Sequence, residues 1–193
     1  MPIRHVVIVH GHDAKPIINW FTDLAELLKK SGVEVLIPWM PSPHLPEIRR
    51  WKERLRAVIR DNIEETAIIG HSFGGVSALR LAEGFSAGEA LGALIVVAAP
   101  VKWVWHPRFP ARVLFREPNW DRVRLGGRCF ALVYSDNDWI APVKNAAYLE
   151  DKLGCKALIL HGYGHLCLPE LPLEAKMHII RTLGFEQMAL AFT

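Results

Sequence analysis

A serine, a carboxylate and a histidine follow one another along this 193-residue chain, and together they could turn a hydroxyl group into a nucleophile. The serine, Ser72, lies in Gly70-x-Ser72-x-Gly74, between an apolar run at residues 66–69 and a segment with helical apolar spacing. A serine hydroxyl reacts poorly until an imidazole, which titrates near neutrality, removes its proton. Strand, tight turn, serine and helix in this order are typical of a nucleophile elbow.

The two glycines have a physical purpose in this interpretation. Residues two before and two after the serine need almost no side chain, because strand and helix approach each other closely there. The serine oxygen then projects above the sheet edge, and the amides at the start of the helix face any negative charge that develops beside it. An ordinary glycine-rich turn is the alternative; the buried strand before Ser72 and the immediate start of a helix favour the nucleophile.

Strand patterns alternate with helical patterns along the chain. Strands are predicted at residues 5–9, 34–37, 66–69, 93–98, 128–134 and 156–160, and helices at 16–30, 45–62, from Ser72 onward, 143–152 and 170–183. This alternation predicts one α/β domain over residues 1–193, with about six mostly parallel strands and helices on both faces. Right-handed crossovers place the carboxyl ends of the strands along one edge.

Reactive residues lie where four of these strands end. Ser72 follows the third strand, residues 10–13 follow the first, 135–138 the fifth and 161–165 the sixth. Four loops are therefore predicted to converge, carrying serine, carboxylate and histidine in that order along the chain. This is the order found in Ser-Asp-His hydrolases built on α/β sheets.

The general base is predicted to be His165. It lies between strand end and helix in a loop where Gly162 and Gly164 permit tight bending. His161 is the rival, but it comes directly at the strand end, too early to reach back over Ser72.

Asp138 is predicted to orient that imidazole and to stabilise the imidazolium that forms. It precedes the apolar residues 139–142, which would shield the carboxylate and direct it inward. Asp136 is the rival in the same loop, and we predict that it caps the turn instead.

Acyl transfer also needs hydrogen-bond donors for an oxyanion. The backbone amides of Phe73, directly after the serine, and of His12, after the first strand, are the candidates. A metal site formed by His10, His12 and Asp13 is the competing interpretation, but no third histidine or cysteine follows nearby. We therefore expect neither a metal nor an organic cofactor.

Composition narrows the partners. The net charge of +3 comes from 23 basic and 20 acidic residues that are scattered along the chain. The densest basic cluster, at residues 49–56, alternates with apolar residues and reads as the solvated face of a helix, so we expect no nucleic acid. The start of the chain lacks the features of a signal peptide, and the longest apolar run, at residues 90–101, is too short to cross a bilayer. A cytoplasmic protein without a membrane partner is predicted.

Several motifs are similar to those of one small family. They are His10-Gly11, Asn19-Trp20-Phe21, Pro38-x-x-Pro41-x-Pro43, Gly70-His71-Ser72, Asp138 and Gly164-His165. The chain resembles the retinoblastoma-binding protein 9/YdeN-like group of compact serine hydrolases, over nearly its whole length. The resemblance implies a minimal α/β-hydrolase with the triad Ser72, Asp138 and His165. It also implies activity on esters or, as in some members, on aminoacyl substrates, and members are known to bind proteins.

Two stretches depart from the family pattern. Residues 12–15 are bulky and charged where relatives have a small or glycine-rich turn, which affects the shape of the oxyanion loop. Residues 102–120 begin with an aromatic-rich stretch that leaves the fourth strand, and would form either a short lid over the site or a packed surface loop. As a lid, this segment would supply an apolar acyl or aryl pocket from Trp103, Trp105 and Phe109. Trp139 is a further pocket candidate, whereas Trp20 is predicted to pack in the core.

The sequence thus predicts a serine hydrolase that cleaves small carboxylic esters through an acyl-enzyme on Ser72. Hydrolysis of amide, aminoacyl or thioester substrates and acyl transfer to another acceptor use the same groups. A member of the fold that binds a protein without catalysis is the alternative from a different class. The expected partner is a small ester or amide; no feature indicates a protein partner.

Overall fold

Six parallel strands form the centre of the molecule, in the order β2-β1-β3-β4-β5-β6. The computed structural model describes residues 1–59, 62–103 and 117–186. The strands are β1 (His5–Val9), β2 (Glu34–Leu36), β3 (Thr66–His71), β4 (Ala93–Val97), β5 (Phe130–Ser135) and β6 (Ala157–Leu160). The helices are α1 (Phe21–Lys29), α2 (Ile48–Ile59), α3 (Phe73–Glu83), α4 (Trp120–Leu125), α5 (Lys144–Leu153) and α6 (Leu173–Thr182). Among these helices, we find no stretch with both the length and the hydropathy of a transmembrane span.

Helices cover both faces of the sheet, as the near-continuous apolar strands require. Every residue of β3 and β4 is buried, because parallel strands in the middle of such a sheet have no solvent-facing side. On one face, buried residues of α2 to α5 form a hydrophobic core with the sheet. On the other face, α1 and α6 form a second core. The predicted fold class is therefore confirmed.

Two helices differ from their predicted positions. The first was expected from residue 16 but begins at Phe21, because Asn19 has φ = 58°, a left-handed conformation that no α-helix contains. The helix α4 was not predicted. It is six residues long and buries only Trp120 and Val123, which is too short a pattern to show helical periodicity. The other predicted bounds are shifted by a few residues.

Backbone strain is concentrated at the carboxyl edge of the sheet. In the described residues, left-handed conformations outside glycine occur at Asp13, Asn19, Ser42, Ser72, Ala98 and Leu166. All six lie in loops that connect the carboxyl end of a strand to the next helix. Each such conformation costs about 1 kcal/mol or more, and such residues cluster at functional sites.

Candidate active site

Ser72 is a single residue between β3 and α3. Its backbone has φ = 54° and ψ = −122°, and its side chain is nearly buried, with the residue 5% exposed. The amide of Ser72 still donates to Val97 O of the neighbouring strand, at 2.8 Å. Its carbonyl accepts from the amides of Gly75 and Val76, at 3.0 and 3.3 Å, which starts the helix at once. Both neighbouring elements therefore hold this strained residue in place.

The glycines beside Ser72 are required by close approach of the backbone. A Cβ at Gly70 would lie 2.5 Å from Gly75 Cα, and a Cβ at Gly74 would lie 2.4 Å from Val9 O. The predicted reason for the two glycines is confirmed. A third glycine, Gly11 after β1, is just as close: a Cβ there would lie 2.8 Å from Ser72 Cβ.

The three predicted side chains form one continuous line of hydrogen bonds. His165 Nε2 lies 2.9 Å from Ser72 Oγ, and His165 Nδ1 lies 2.7 Å from Asp138 Oδ2. Because a carboxylate only accepts, Nδ1 carries the proton and Nε2 is left to accept the serine proton. The Asp138 side chain is fully buried and that of His165 is 10% exposed.

Backbone amides hold the Asp138 carboxylate. Its Oδ1 accepts from the amides of Ile140 and Ala141, at 2.8 and 2.9 Å. The apolar segment after Asp138 therefore supplies donors as well as the predicted shielding. Two amides and one imidazole N–H together compensate the buried negative charge.

The two rival residues bind each other instead of Ser72. His161 Nδ1 lies 2.8 Å from Asp136 Oδ2, and the His161 side chain is 84% exposed. Asp136 also binds the loop after β6, because its Oδ1 accepts from the amide of Gly162, at 2.9 Å. This amide, followed by the imidazole of His161, lowers the pKa of Asp136. The pair therefore fastens the loop after β6 to the loop after β5.

Two further residues, whose roles were not predicted from the sequence, also form hydrogen bonds with the loop after β6. Ser135 Oγ accepts from the amide of Tyr163 at 3.0 Å, and Asn137 Oδ1 accepts from the amide of Gly164 at 2.7 Å. Ser135 in turn donates to Asn137 Oδ1, at 2.8 Å. The available signal was four successive polar residues directly after a buried apolar strand.

The histidines after β1 bind the backbone around them. His10 is buried, and its Nδ1 lies 2.9 Å from Gly11 O, while the amide of Met40 donates to its Nε2 at 3.3 Å. Burial lowers the pKa of His10, which fits the neutral ring that this pattern requires. Because a trans peptide is planar, fixing Gly11 C=O points the N–H of His12 the opposite way. The ring of His12 lies 3.2 Å from His44 O through Nε2.

The candidate pocket residues lie in different surroundings. Trp103 packs against Tyr148 of α5, with ring centroids 5.8 Å apart, and Asn145 Oδ1 accepts from its amide at 3.0 Å. Trp139 follows Asp138 directly and is 62% exposed. Trp20 is buried in the core, as predicted. Trp105, Phe109 and most of the predicted lid lie outside the described residues.

Comparisons with known proteins agree with this fold. A family model described as serine hydrolase matches residues 6–170. YdeN of Bacillus subtilis is 26% identical over 164 residues, which cover 84% of this chain and 85% of YdeN. The YdeN crystal structure superposes with a TM-score of 0.85 at 22% identity, covering 94% of this chain and 98% of that one. The resemblance to YdeN-like hydrolases is therefore confirmed.

Two further structures share the fold at lower identity. Est1E from Butyrivibrio proteoclasticus, with ferulic acid bound, has a TM-score of 0.73 at 18% identity and covers 95% of this chain and 90% of its own. A monoacylglycerol lipase from Paleococcus ferrophilus has a TM-score of 0.68 at 18% identity and covers 95% of both chains.

Proposed function

Because this chain belongs to the serine hydrolase family, we propose that it cleaves small carboxylic esters through an acyl-enzyme on Ser72. One observation carries the proposal: Ser72, His165 and Asp138 form an unbroken hydrogen-bonded line with spacings of 2.9 and 2.7 Å. A protein that only binds a partner has no physical need for this line at the end of a strained turn.

The first step is attack by the serine. Ser72 Oγ adds to the ester carbonyl while His165 Nε2 takes the hydroxyl proton. The imidazolium that forms keeps its Nδ1 proton on Asp138, whose buried carboxylate stabilises the new positive charge. His165 then gives the proton from Nε2 to the leaving alcohol, and the acyl group stays on the serine.

In this proposal, the backbone amides of Phe73 and His12 donate to the oxyanion. Phe73 is the first residue of α3, so its amide belongs to the positive end of the helix dipole. His12 follows Gly11, whose backbone lies against Ser72 and whose carbonyl is turned toward His10. Two such donors would stabilise the negative charge of the tetrahedral intermediate.

Release of the acid reverses the roles. Water enters in place of the alcohol, His165 Nε2 takes its proton, and the resulting hydroxide attacks the acyl carbonyl. Collapse of the second tetrahedral intermediate returns the proton to Ser72 Oγ. Each step uses side chains of this chain and water.

Small esters with an apolar or aromatic acyl group are the proposed substrates. Trp139, beside Asp138, and Trp103, after β4, are the described aromatic candidates for the pocket. Est1E binds ferulic acid, an aromatic carboxylic acid, and a monoacylglycerol lipase shares the same fold, so the fold accommodates substrates of this class.

A substrate panel tests the proposal. Purified protein and Ser72→Ala are compared on p-nitrophenyl acetate and butyrate, on aminoacyl p-nitroanilides and on acyl thioesters. We expect the highest kcat/KM on an ester and a loss of about 10⁴-fold or more in Ser72→Ala. The melting temperature should stay close to wild type, because alanine keeps the Cβ in the same backbone conformation. Equal rates for the two proteins would refute the role of Ser72.

A further inference from the structure

Side chains on two sides of the loop that carries His165 form hydrogen bonds with its backbone. On one side, side-chain oxygens of Ser135, the last residue of β5, and of the loop after it accept from the amides of Gly162, Tyr163 and Gly164. On the other side, two buried aromatic rings donate to the next two carbonyls, those of His165 and Leu166. Five successive residues of this loop therefore each have one backbone polar group bound by a side chain. The mechanism above uses neither of the two rings.

One ring belongs to His71, the last residue of β3. It is 2% exposed, and its Nε2 lies 2.9 Å from His165 O. A carbonyl only accepts, so Nε2 carries the proton and Nδ1 carries none. The ring centroid of His71 lies 5.0 Å from that of His165. His71, the residue directly before Ser72, thus binds the main chain of the proposed base.

This ring is held in the neutral state. Its Nδ1 is buried and has no hydrogen-bond partner among the described residues, so a second proton there would be an unpaired buried donor. Burial, followed by the nearby His165, lowers the pKa of His71 to about 3. His71 can therefore donate to the loop without adding a charge beside the imidazole of His165.

The second ring belongs to Trp20, directly before α1. It is fully buried, and its Nε1 donates to Leu166 O at 3.0 Å. Its ring meets that of His71 edge to face, with centroids 6.0 Å apart. Two rings in mutual contact therefore bind two consecutive carbonyls, those of His165 and Leu166.

The loop needs such support, because its own backbone permits alternatives. Gly164 has φ = 55° and Leu166 has φ = 54°, so a left-handed residue stands on each side of His165. Glycine moves freely between conformations, and leucine in this one is strained. An error of about 1 Å in the position of a catalytic group can lower a rate by about 10²-fold.

Filling space alone does not explain His71. An apolar ring would pack against its aromatic neighbours, Trp20 and Phe21, without leaving a buried nitrogen unpaired.

We propose that His71, supported by Trp20, is a positioning residue that holds the main chain of His165 so that its imidazole meets Ser72. This inference rests on the function proposed above. The donor at Nε2 is the operative group, and a neutral side chain with an N–H at the same place should replace it.

Three variants separate positioning from stability. His71→Phe keeps a ring but removes the donor, and His71→Gln keeps an amide N–H at a similar reach. Tyr134→Phe is the matched control, because it removes another buried ring donor from a backbone carbonyl, that of Ala99 at 2.7 Å. Wild type, Ser72→Ala and these variants are assayed on p-nitrophenyl acetate and butyrate, and their melting temperatures are measured.

We expect kcat to fall about 10²-fold in His71→Phe, with KM within about threefold of wild type. His71→Gln should recover most of kcat, and Tyr134→Phe should lose stability while keeping kcat within about threefold. A folded His71→Phe with kcat within about threefold of wild type would overturn the inference. So would a loss of kcat that follows the loss of melting temperature across all three variants.

Nitrogen NMR of histidine-labelled wild type gives a second test that needs no variant. The inference predicts that His71 keeps the Nε2–H tautomer, without change, between about pH 5 and 8. The Nδ1–H tautomer, or titration of His71 in this range, would overturn the inference even if His71→Phe failed to fold. Wild type without Ser72-dependent hydrolysis would refute the proposed function instead, which keeps the two failures distinct.

Discussion

The two edges of the sheet differ in which residues take up the left-handed conformation where the chain reverses direction. At the amino edge, the turns after α1, α3, α5 and α6 place glycine in the left-handed conformation, at Gly32, Gly88, Gly154 and Gly184. Among the described residues, no atom beyond the adjacent residues lies within 4 Å of where a side chain would start at these glycines. At the carboxyl edge, Gly162 and Gly164 also have positive φ, but so do residues with side chains: serine, aspartate, asparagine, alanine and leucine.

Polar side chains differ between the edges in the same way. Ion pairs at the amino edge, such as Arg4–Glu65 and Arg128–Glu64, are largely or partly exposed, and such pairs contribute about 0–1 kcal/mol each. Thr66, at the start of β3, is buried at the amino edge, but the carboxyl edge buries a larger set of polar residues that are hydrogen-bonded to its loops: His10, His71, Ser72, Ser135, Asp138 and Asn145. Strain and buried polarity, both unfavourable for stability alone, therefore lie together where the proposed chemistry takes place.

The largest expected difference lies between two aspartates of one carboxyl-edge loop. Asp138→Asn should lower kcat by about 10⁴-fold, because an amide can donate to Nδ1 and so favour the wrong tautomer of His165. Asp136→Asn is the matched control and should stay within about threefold, since its amide oxygen can still accept from Gly162. Steady-state kinetics on p-nitrophenyl butyrate measure both. A large loss in Asp136→Asn with none in Asp138→Asn would mean that the wrong carboxylate has been assigned.

The next largest expected difference is in the free energy of unfolding, between two glycine-to-alanine substitutions, one at each edge of the sheet. A methyl group at Gly74 would lie 2.4 Å from Val9 O and 2.6 Å from His10 O, and backbone atoms yield little. Gly74→Ala should therefore reduce the free energy of unfolding by about 3 kcal/mol. Gly154→Ala meets open space and only the left-handed strain, so about 1 kcal/mol is expected. Urea denaturation compares the two; equal losses would show that the carboxyl edge is no more tightly packed there.

Acid should reveal the buried histidine of the carboxyl edge. His71 has its pKa lowered to about 3 in the folded protein, against 6.5 for an ordinary histidine, so the unfolded chain binds a proton that the folded chain refuses. Its contribution to stability is complete above about pH 6.5 and is lost as the pH falls toward 3, by about 1.4 kcal/mol per pH unit at most.

Unfolding measured in urea at pH 7 and pH 5 checks this, with His71→Gln as the comparison. His10 and His178 also have lowered pKa values, but both variants retain them, so the difference in slope belongs to residue 71. Wild type should lose about 2 kcal/mol more than His71→Gln over this interval. Equal losses of unfolding free energy in the two proteins would show that the pKa of His71 is not lowered in the folded state.

The sequence predicted those features that depend on one segment at a time. Apolar runs located the strands, and the alternation of elements placed Ser72, Asp138 and His165 at one edge, where they are hydrogen-bonded. Apart from this triad, whose order along the chain is typical of α/β-hydrolases, hydrogen bonds between distant segments could not be predicted, because they depend on which loops become neighbours. The sequence predicts Asp136 as a turn cap. Its carboxylate also binds Gly162 and His161, because β5 and β6 are adjacent. His71 likewise appears as one histidine among nine until its partner carbonyl is in view.

Covalent labelling of the folded protein tests the role of Ser72 most directly. Wild type is treated with a fluorophosphonate, and the labelled residue is located by mass spectrometry of the intact protein and its peptides. We predict one label per chain, on Ser72, with none on Ser72→Ala or on urea-unfolded wild type. Folded wild type that takes no label, or takes it on another residue, would contradict the assignment of Ser72 as the nucleophile.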